Sequence, residues 1–347
     1  MIQICNWLLT RKCNLSCEYC AIVRDYSDKP VEYPDMAHYH KNEMKTEDVI
    51  NGLKDLKNHN PDCFHVIYGG EPLLRKDLPQ IIDYCNAENM HYTIISNNTN
   101  AVKERIYNLL RNHNVKGFSG SCDPVVEFPT ISDSDIKSLN AEFNLNAYKK
   151  LVPDIVAEIT IMKHNQHLLY EHVSRLSKDG ISSSITFIDV AKTPYYDFSN
   201  VRDNKVLVSR SPILAEQFQK LMDDESLIIH MKEQLLPLIW QILPSNLDCE
   251  IDKNLHNITV DADGSLRLCL RIRGVTAPQY NLKGRTFFAK NFEVSPEAME
   301  AIKKDKQNYC KLCNHTCQLM SMLVENNTNL SKDLIHTEQR SKKNGSI

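Results

Sequence analysis

The chain has 347 residues, 42% of them hydrophobic and 24% charged, with a formal net charge of −3. That length allows one large domain or two ordinary ones with a sizeable core, and the charge balance gives no bulk electrostatic reason to bind nucleic acid. The apolar stretch Ile2 to Leu9 is too short to span a bilayer, is broken by Gln3 and Asn6, and lacks the flanks of a signal peptide, so a cytoplasmic protein without a membrane segment is expected. In that compartment twelve cysteines point to metal ligation or catalysis rather than disulfides.

In chain order, Ile2 to Leu9 reads as a buried strand and is followed at once by Cys13-Asn14-Leu15-Ser16-Cys17-Glu18-Tyr19-Cys20. Residues 24–45 are polar and turn-rich, with Pro30 and Pro34, and read as a long loop. Thr46 is placed to cap a helix to about Lys57, with Glu47 and Asp48 favourable in its first turn. Strands follow at Phe64 to Tyr68, His91 to Ile95, Val115 to Ser119, Ile155 to Met162 and Ser184 to Val190. Helices fall between them at Asp77 to Cys85, Ala101 to Asn112, Asp135 to Lys150 and Leu168 to Lys178.

Six strands alternating with helices predict parallel βαβ units, as an open doubly wound sheet or a partial barrel. In either, the functional face lies at the C-terminal ends of the strands. The polar, glycine-containing segments do follow strands: Cys13 to Cys20, Gly69 to Pro72, Ser96 to Asn100 and Gly120 to Asp123. All four are expected on one rim.

After Val190 the alternation stops. Ser211-Pro212 opens a helix to about Met222, and a second helical stretch is expected from about Glu225 to Leu243. Asn257 to Val260, the turn Asp261-Ala262-Asp263-Gly264, and Leu266 to Leu270 read as a β-hairpin. Ser295-Pro296 starts a helix to about Lys304, and the chain is polar from Val324 onward.

The cysteines fall in two groups, Cys13, Cys17 and Cys20 near the start and Cys249, Cys269, Cys310, Cys313 and Cys317 near the end. Cys5, Cys63 and Cys85 stand alone and read as small buried hydrophobes. Cys122 also stands alone but follows the fourth strand, where it could donate a hydrogen atom or proton. The pair His38-x-His40 can bind metal in principle; on a long loop it reads as solvated or substrate-facing.

Three thiolates on a four-iron cluster leave one iron open, as a catalytic metal keeps an open position. The spacing C-x3-C-x2-C directly after a first strand resembles the radical S-adenosylmethionine (SAM) superfamily. So does Tyr68-Gly69-Gly70-Glu71-Pro72, which resembles the G-G-E-P element at the end of that family's second strand. The resemblance implies a partial (β/α)6 TIM-like barrel over residues 1–192, with Cys13, Cys17 and Cys20 on a 4Fe–4S cluster whose open iron chelates SAM. It also implies Tyr19 near the adenine, Gly69, Gly70, Glu71 and Pro72 against SAM with Glu71 on the ammonium, and an external one-electron donor of flavodoxin or ferredoxin type. Softer candidates for SAM contact are Ser96, Asn97, Ser119, Ser121, Asp123 and Glu158, with Lys163 also able to face the site. The D-G and H-D-x-x-R stretch that many peptide-modifying members carry after strand four is replaced here by Asp123-Pro124 without the rest. Zinc with a distant fourth ligand is the competing reading of the triplet.

Cys249-x14-Gly264-x4-Cys269 and then Cys310-x2-Cys313-x3-Cys317 resemble the SPASM extension or its shorter twitch form. Five cysteines suit one auxiliary 4Fe–4S cluster on Cys249, Cys269, Cys310 and Cys313, with Cys317 as an alternate; a zinc ribbon is the competitor. The resulting organisation is the barrel at 1–192, a helical connector at 193–244, a small α+β auxiliary-cluster domain at 245–320 and a polar tail at 321–347. The expected activity is that of an oxidoreductase or maturase: cleavage of SAM to a 5′-deoxyadenosyl radical that takes a substrate hydrogen. The substrate stays open between a peptide and a small molecule. The first strand begins at Ile2, so no fused leader-peptide-binding domain is expected before the barrel, which counts against the peptide; the single auxiliary cluster and the missing His-Asp-x-x-Arg stretch lean slightly toward the small molecule. A non-catalytic zinc or Fe–S protein is the outside alternative.

Overall fold

The computed structural model describes residues 2–17, 20, 22, 36–125, 140–187, 208, 211–230, 232–233, 236, 257–268 and 296–309. Its centre is one sheet with the strand order β6-β5-β4-β3-β2-β1-β7-β8. The first six strands are β1 (Ile4–Leu8), β2 (Phe64–Tyr68), β3 (His91–Ser96), β4 (Gly117–Ser121), β5 (Asp154–Ile161) and β6 (Ser182–Phe187). Each pairs in parallel with the next. A doubly wound sheet reverses its strand order; this one runs monotonically from β1 to β6. With right-handed crossovers that order places every connecting helix on the same face, as in a barrel.

The helices are α1 (Met36–Asn42), α2 (Thr46–His59), α3 (Leu78–Ala87), α4 (Lys103–Asn112), α5 (Ala141–Tyr148), α6 (Leu169–Lys178), α7 (Pro212–Asp223) and α8 (Pro296–Tyr309). They cover one continuous hydrophobic core that includes Trp7, Leu53, Ile82, Ile94, Phe118, Leu145 and Ile159. Alternate strand residues point the other way. In register across the sheet, Asn6, Val66, Thr93, Ser119 or Ser121, Glu158 and Ser184 share that second face. This face is rich in short hydroxyl side chains, whereas the helix face is hydrophobic.

Four expectations need correction. Residues 36–42, inside the expected loop 24–45, form α1, because Tyr39 has a buried place between Arg11 and Arg267 that polarity alone does not reveal. Thr46 does not cap α2: it is the first helical residue, its hydroxyl donates to Asp77 at 2.6 Å, and Asp48 accepts the Lys45 N–H at 2.9 Å. The stretch at 225–230 is not helical, since Ile229 bridges to Ser183 and His230 N donates to the Ser183 carbonyl at the edge of β6. Helix α8 runs to Tyr309, five residues past the expected Lys304.

The hairpin is present as β7 (Asn257–Val260) and β8 (Leu266–Arg267). It does not stand apart from the barrel sheet. β7 pairs in parallel with β1, Cys5 against Ile258 and Trp7 against Val260, and Asn6 Nδ2 donates to Asn257 Oδ1 at 2.6 Å. The first strand is therefore interior to the sheet, between β2 and β7. Gly264, at φ +85°, supplies the left-handed residue that the turn needs.

Candidate functional site

The segment leaving β1 is gripped from two sides before it reaches Cys13. On one side the parallel ladder with β2 continues past the strand ends: Leu9 N donates to Tyr68 O at 2.8 Å, Gly70 N to Thr10 O at 2.7 Å and Glu71 N to Lys12 O at 2.8 Å. This approach explains both glycines. A Cβ on Gly69 would press into the Thr10 carbonyl, and one on Gly70 into the Lys12 carbonyl, so no side chain fits at either place. Pro72 opens a 3₁₀ turn to Leu74, with Glu71 capping it through Leu73 N at 3.0 Å.

Glu71 is wholly buried. Its two carboxylate oxygens accept from Leu73 N, from Ser96 Oγ at 3.1 Å and from Asn97 N at 2.8 Å. Burial pushes its pKa up to about 7, and these neutral donors only partly oppose that. The carboxylate thus ties the Gly-Gly-Glu-Pro turn to the end of β3.

From there the end of β3 reaches the cysteine loop. Asn97 Nδ2 donates to Asn14 Oδ1 at 2.8 Å and to Cys13 Sγ at 3.6 Å, while its Oδ1 accepts from Thr99 Oγ1 at 3.0 Å. Asn14 Nδ2 returns a bond to Thr99 Oγ1 at 3.2 Å. Asn98 adopts φ +57°, which asparagine tolerates, and its amide donates to the Ala141 carbonyl at 3.1 Å. Burial pushes the Cys13 thiol up to about 11, while donors at Leu15 N and Asn97 act against it.

On the other side of the loop, Arg11 is wholly buried and paired with Asp261 in the hairpin turn. Arg267 donates Nε to the same carboxylate at 2.5 Å and Nη2 to Tyr39 Oη at 3.0 Å. The two guanidinium groups hold Asp261 well below the usual carboxylate range against the opposing cost of its burial.

Of the sequence candidates, the structure brings together Cys13, Gly69, Gly70, Glu71, Pro72, Ser96 and Asn97. Cys17 and Cys20 lie half-buried on the same loop, and all three loop cysteines are thiols. Among the described residues, no three His, Cys, Asp or Glu side chains form a site for a single metal ion. Ser119 Oγ lies 3.3 Å from Thr93 Oγ1 on the hydroxyl-rich face, and Glu158 is half-buried there between Ser121 and Ser184. Asp123 is turned to β5, where it accepts Thr160 N at 2.7 Å.

Cys122 is packed in the hydrophobic core, its carbonyl accepting from His172 Nε2 at 2.7 Å, as a small hydrophobe would be. Cys5, Cys63 and Cys85 are in the same core. His38 sits 3.1 Å from Asp263 of the hairpin turn. Tyr19, Cys249, Cys269, Cys310, Cys313 and Cys317 lie outside the described residues. Sequence reasoning missed Arg11, Asn14, Tyr39, Thr99, Asp261 and Arg267. The signal for the first was there, a charged residue between a buried strand and the cysteines, but its partner is 250 residues away.

Residues 7–175 match the family model described as the Radical SAM superfamily. Over 94 residues it is 33% identical to the Fe-coproporphyrin III synthase of Methanosarcina barkeri; the matched stretch is 27% of this chain and 20% of that protein. The chain thus spans about a fifth of the length of that curated relative. Its fold resembles Streptococcus suis SuiB bound to the precursor peptide SuiA, with a TM-score of 0.59 at 12% identity, over 92% of this chain and 71% of that one. It also resembles SuiB bound to S-adenosylmethionine, with a TM-score of 0.53 at 12% identity, over 78% of this chain and 60% of that one. At such identity the likeness concerns the fold.

The superfamily implies a 4Fe–4S cluster and SAM. The residues present fit them. The donor set is three thiols on one loop, one with two N–H donors directed at its sulfur, and two glycines beside them admit a backbone approach that any side chain would block. No helix among the described residues is long and apolar enough to cross a membrane.

Proposed function

We propose that the chain is a cytoplasmic radical SAM enzyme of the oxidoreductase or maturase type, with an auxiliary 4Fe–4S cluster, acting on a peptide. The observation that carries the reading is the convergence of three strand ends on Cys13: its own loop, the Gly69–Glu71 turn hydrogen-bonded to Thr10 and Lys12, and Asn97 on its sulfur. Cys13, Cys17 and Cys20 would hold the first cluster, with Tyr19 beside the adenine. Gly69 and Gly70 let the turn pack directly on the backbone of Thr10 and Lys12 and so hold the start of the cysteine loop beside the proposed SAM site. Glu71, whose oxygens accept from Ser96 and Asn97, fixes the β3 end that steadies Cys13 and is the carboxylate we assign to the side of the SAM ammonium. Ser96, Ser119, Asp123 and Glu158 complete the candidate contacts.

When bound, the reduced cluster and SAM supply a 5′-deoxyadenosyl radical that removes a substrate hydrogen atom. The protein's part is to position and to exclude water. The hydroxyl-rich face holding Thr93, Ser119, Ser121, Glu158 and Ser184 suits a polar chain such as a peptide backbone. Cys249, Cys269, Cys310 and Cys313, with Cys317 as alternate, would hold the auxiliary cluster, and a flavodoxin- or ferredoxin-type protein would deliver the electron. The peptide reading is favoured by resemblance to peptide-bound SuiB along nearly the whole chain. A small-molecule substrate is the second reading, favoured by the stretch shared with the Fe-coproporphyrin III synthase.

The test is anaerobic reconstitution, iron counting and assay of 5′-deoxyadenosine after reduction with SAM. Roughly eight irons per chain are expected for two four-iron clusters. Release of deoxyadenosine should vanish when Cys13, Cys17 and Cys20 are replaced by alanine while about half the iron remains. Bound zinc without SAM cleavage would overturn the reading.

A further inference from the structure

Arg11 lies two residues before Cys13, yet its side chain is wholly buried and paired with Asp261 of the hairpin turn. Three of its contacts bear on the cysteine loop. Nε and Nη2 hold the two oxygens of Asp261 at 3.0 and 2.8 Å, in a bidentate fork. The guanidinium carbon lies 4.0 Å from the centre of the Tyr39 ring. Nη1 donates to the carbonyl of Ile22 at 3.2 Å. Ile22 is the second residue after Cys20, so one planar guanidinium clasps the cysteine loop where it begins and where it ends.

Asp261 is fixed in turn. Its Oδ1 accepts Ala262 N at 2.7 Å, its N–H donates to Ser265 O at 2.9 Å, and the next carbonyl, Ala262 O, accepts Met44 N at 2.7 Å. The turn that carries Asp261 is therefore a rigid anchor. β7, which leads into it, is itself bonded to β1, the strand from which the cysteine loop departs.

We infer that Asp261 is a positioning residue for the cysteine loop: acting through Arg11, the C-terminal hairpin sets the separation of the loop's two ends and so the placement of Cys13, Cys17 and Cys20. A buried ion pair serving only as core filling would need no third donor on the loop's far end. Lysine could replace the charge of Arg11, but one ammonium cannot reproduce the fork on Asp261 and the bond to Ile22 together. The inference rests on the radical SAM reading.

The experiment uses the full chain, reconstituted anaerobically, as wild type, Arg11→Lys and Asp261→Asn. SAM affinity is measured by equilibrium dialysis, and the reduced protein is examined by EPR with and without SAM. Arg11→Lys should keep the wild-type circular dichroism and bind SAM about tenfold to a hundredfold more weakly, the usual cost of disturbing an outer partner of a metal site. Its SAM-induced change in the EPR spectrum should shrink. Asp261→Asn should act in the same direction, with Asp261→Glu restoring part of the affinity. A folded Arg11→Lys with wild-type SAM affinity and an unchanged EPR response would overturn the inference, whatever becomes of Asp261→Asn. Wild type that shows no SAM response at all would instead overturn the radical SAM reading.

Discussion

Two buried carboxylates flank the cysteine loop, and the chain holds them in opposite ways. Glu71 meets only neutral donors, the N–H groups of Leu73 and Asn97 and the Ser96 hydroxyl, and its burial pushes its pKa up to about 7. Asp261 meets the guanidinium groups of Arg11 and Arg267, which hold it anionic. Both are equally hidden from water. Neutral hydrogen bonds can orient a carboxylate without fully replacing its hydration, whereas paired cations replace it at the cost of being buried themselves. One side of the loop can therefore take up a proton near neutrality, and the other is a permanent ionic clamp.

The largest expected effect comes from breaking the clamp. Asp261→Ala leaves two buried cations without their anion and should lower stability by about 3–5 kcal/mol. Glu71→Ala strands only neutral donors and should cost about 1–3 kcal/mol. Urea unfolding of both variants compares them directly; equal losses would erase the distinction. Gly70→Ala drives a Cβ into the Lys12 carbonyl and should cost about 1–3 kcal/mol, measured the same way. Stability equal to wild type would mean that the loop can retreat from the turn.

The pH dependence sharpens the contrast without removing any atoms from the clamp. The folded pKa of Glu71 lies above its ordinary value of 4.5, so its contribution favours the fold most below that value and is lost as pH rises through about 7. Glu71→Gln should remove this fall from metal-free protein between about pH 4.5 and 7, as followed by the urea midpoint. Asp261 has the reverse sign: its depressed folded pKa gives stability that is present above the ordinary value and lost only in stronger acid. The smallest effect is expected at Asn97. Asn97→Ala removes an N–H donor from Cys13 Sγ, should cost about 1 kcal/mol, and should lower the midpoint potential of the SAM-binding cluster in an EPR-monitored redox titration.

Strands such as β1, β2 and β3 were legible because each is a short run rich in apolar residues closed by turn residues. Phe64–Tyr68 and Asn257–Val260 fall where the pattern puts them, and β4 is displaced by two residues because Gly120 and Ser121 do not read as strand formers. The glycine turn and the cysteine loop were legible through their spacing. The hydrogen bonds of Asn97, Asn14 and Thr99 were not, since a polar residue after a strand looks the same whether it faces water, a ligand or a sulfur. Helix α1 was hidden for another reason: it is held by Arg11, Arg267 and the hairpin turn, and no local pattern encodes partners so distant.

The same distance has a consequence in time. β1 is flanked by β2 on one side and β7 on the other, and β7 begins at Asn257. While the chain is being synthesised, β2 to β6 can assemble from neighbours in sequence, but one edge of β1 stays open and Arg11 lacks its carboxylate until the hairpin emerges. Closure of that long loop comes late and contributes slowly formed contacts. A nascent or truncated chain would thus hold its glycine turn and hydrophobic core before it could shape the cysteine loop. Order of assembly alone would keep the reactive end of the barrel incomplete until the hairpin ending at Arg267 had been made.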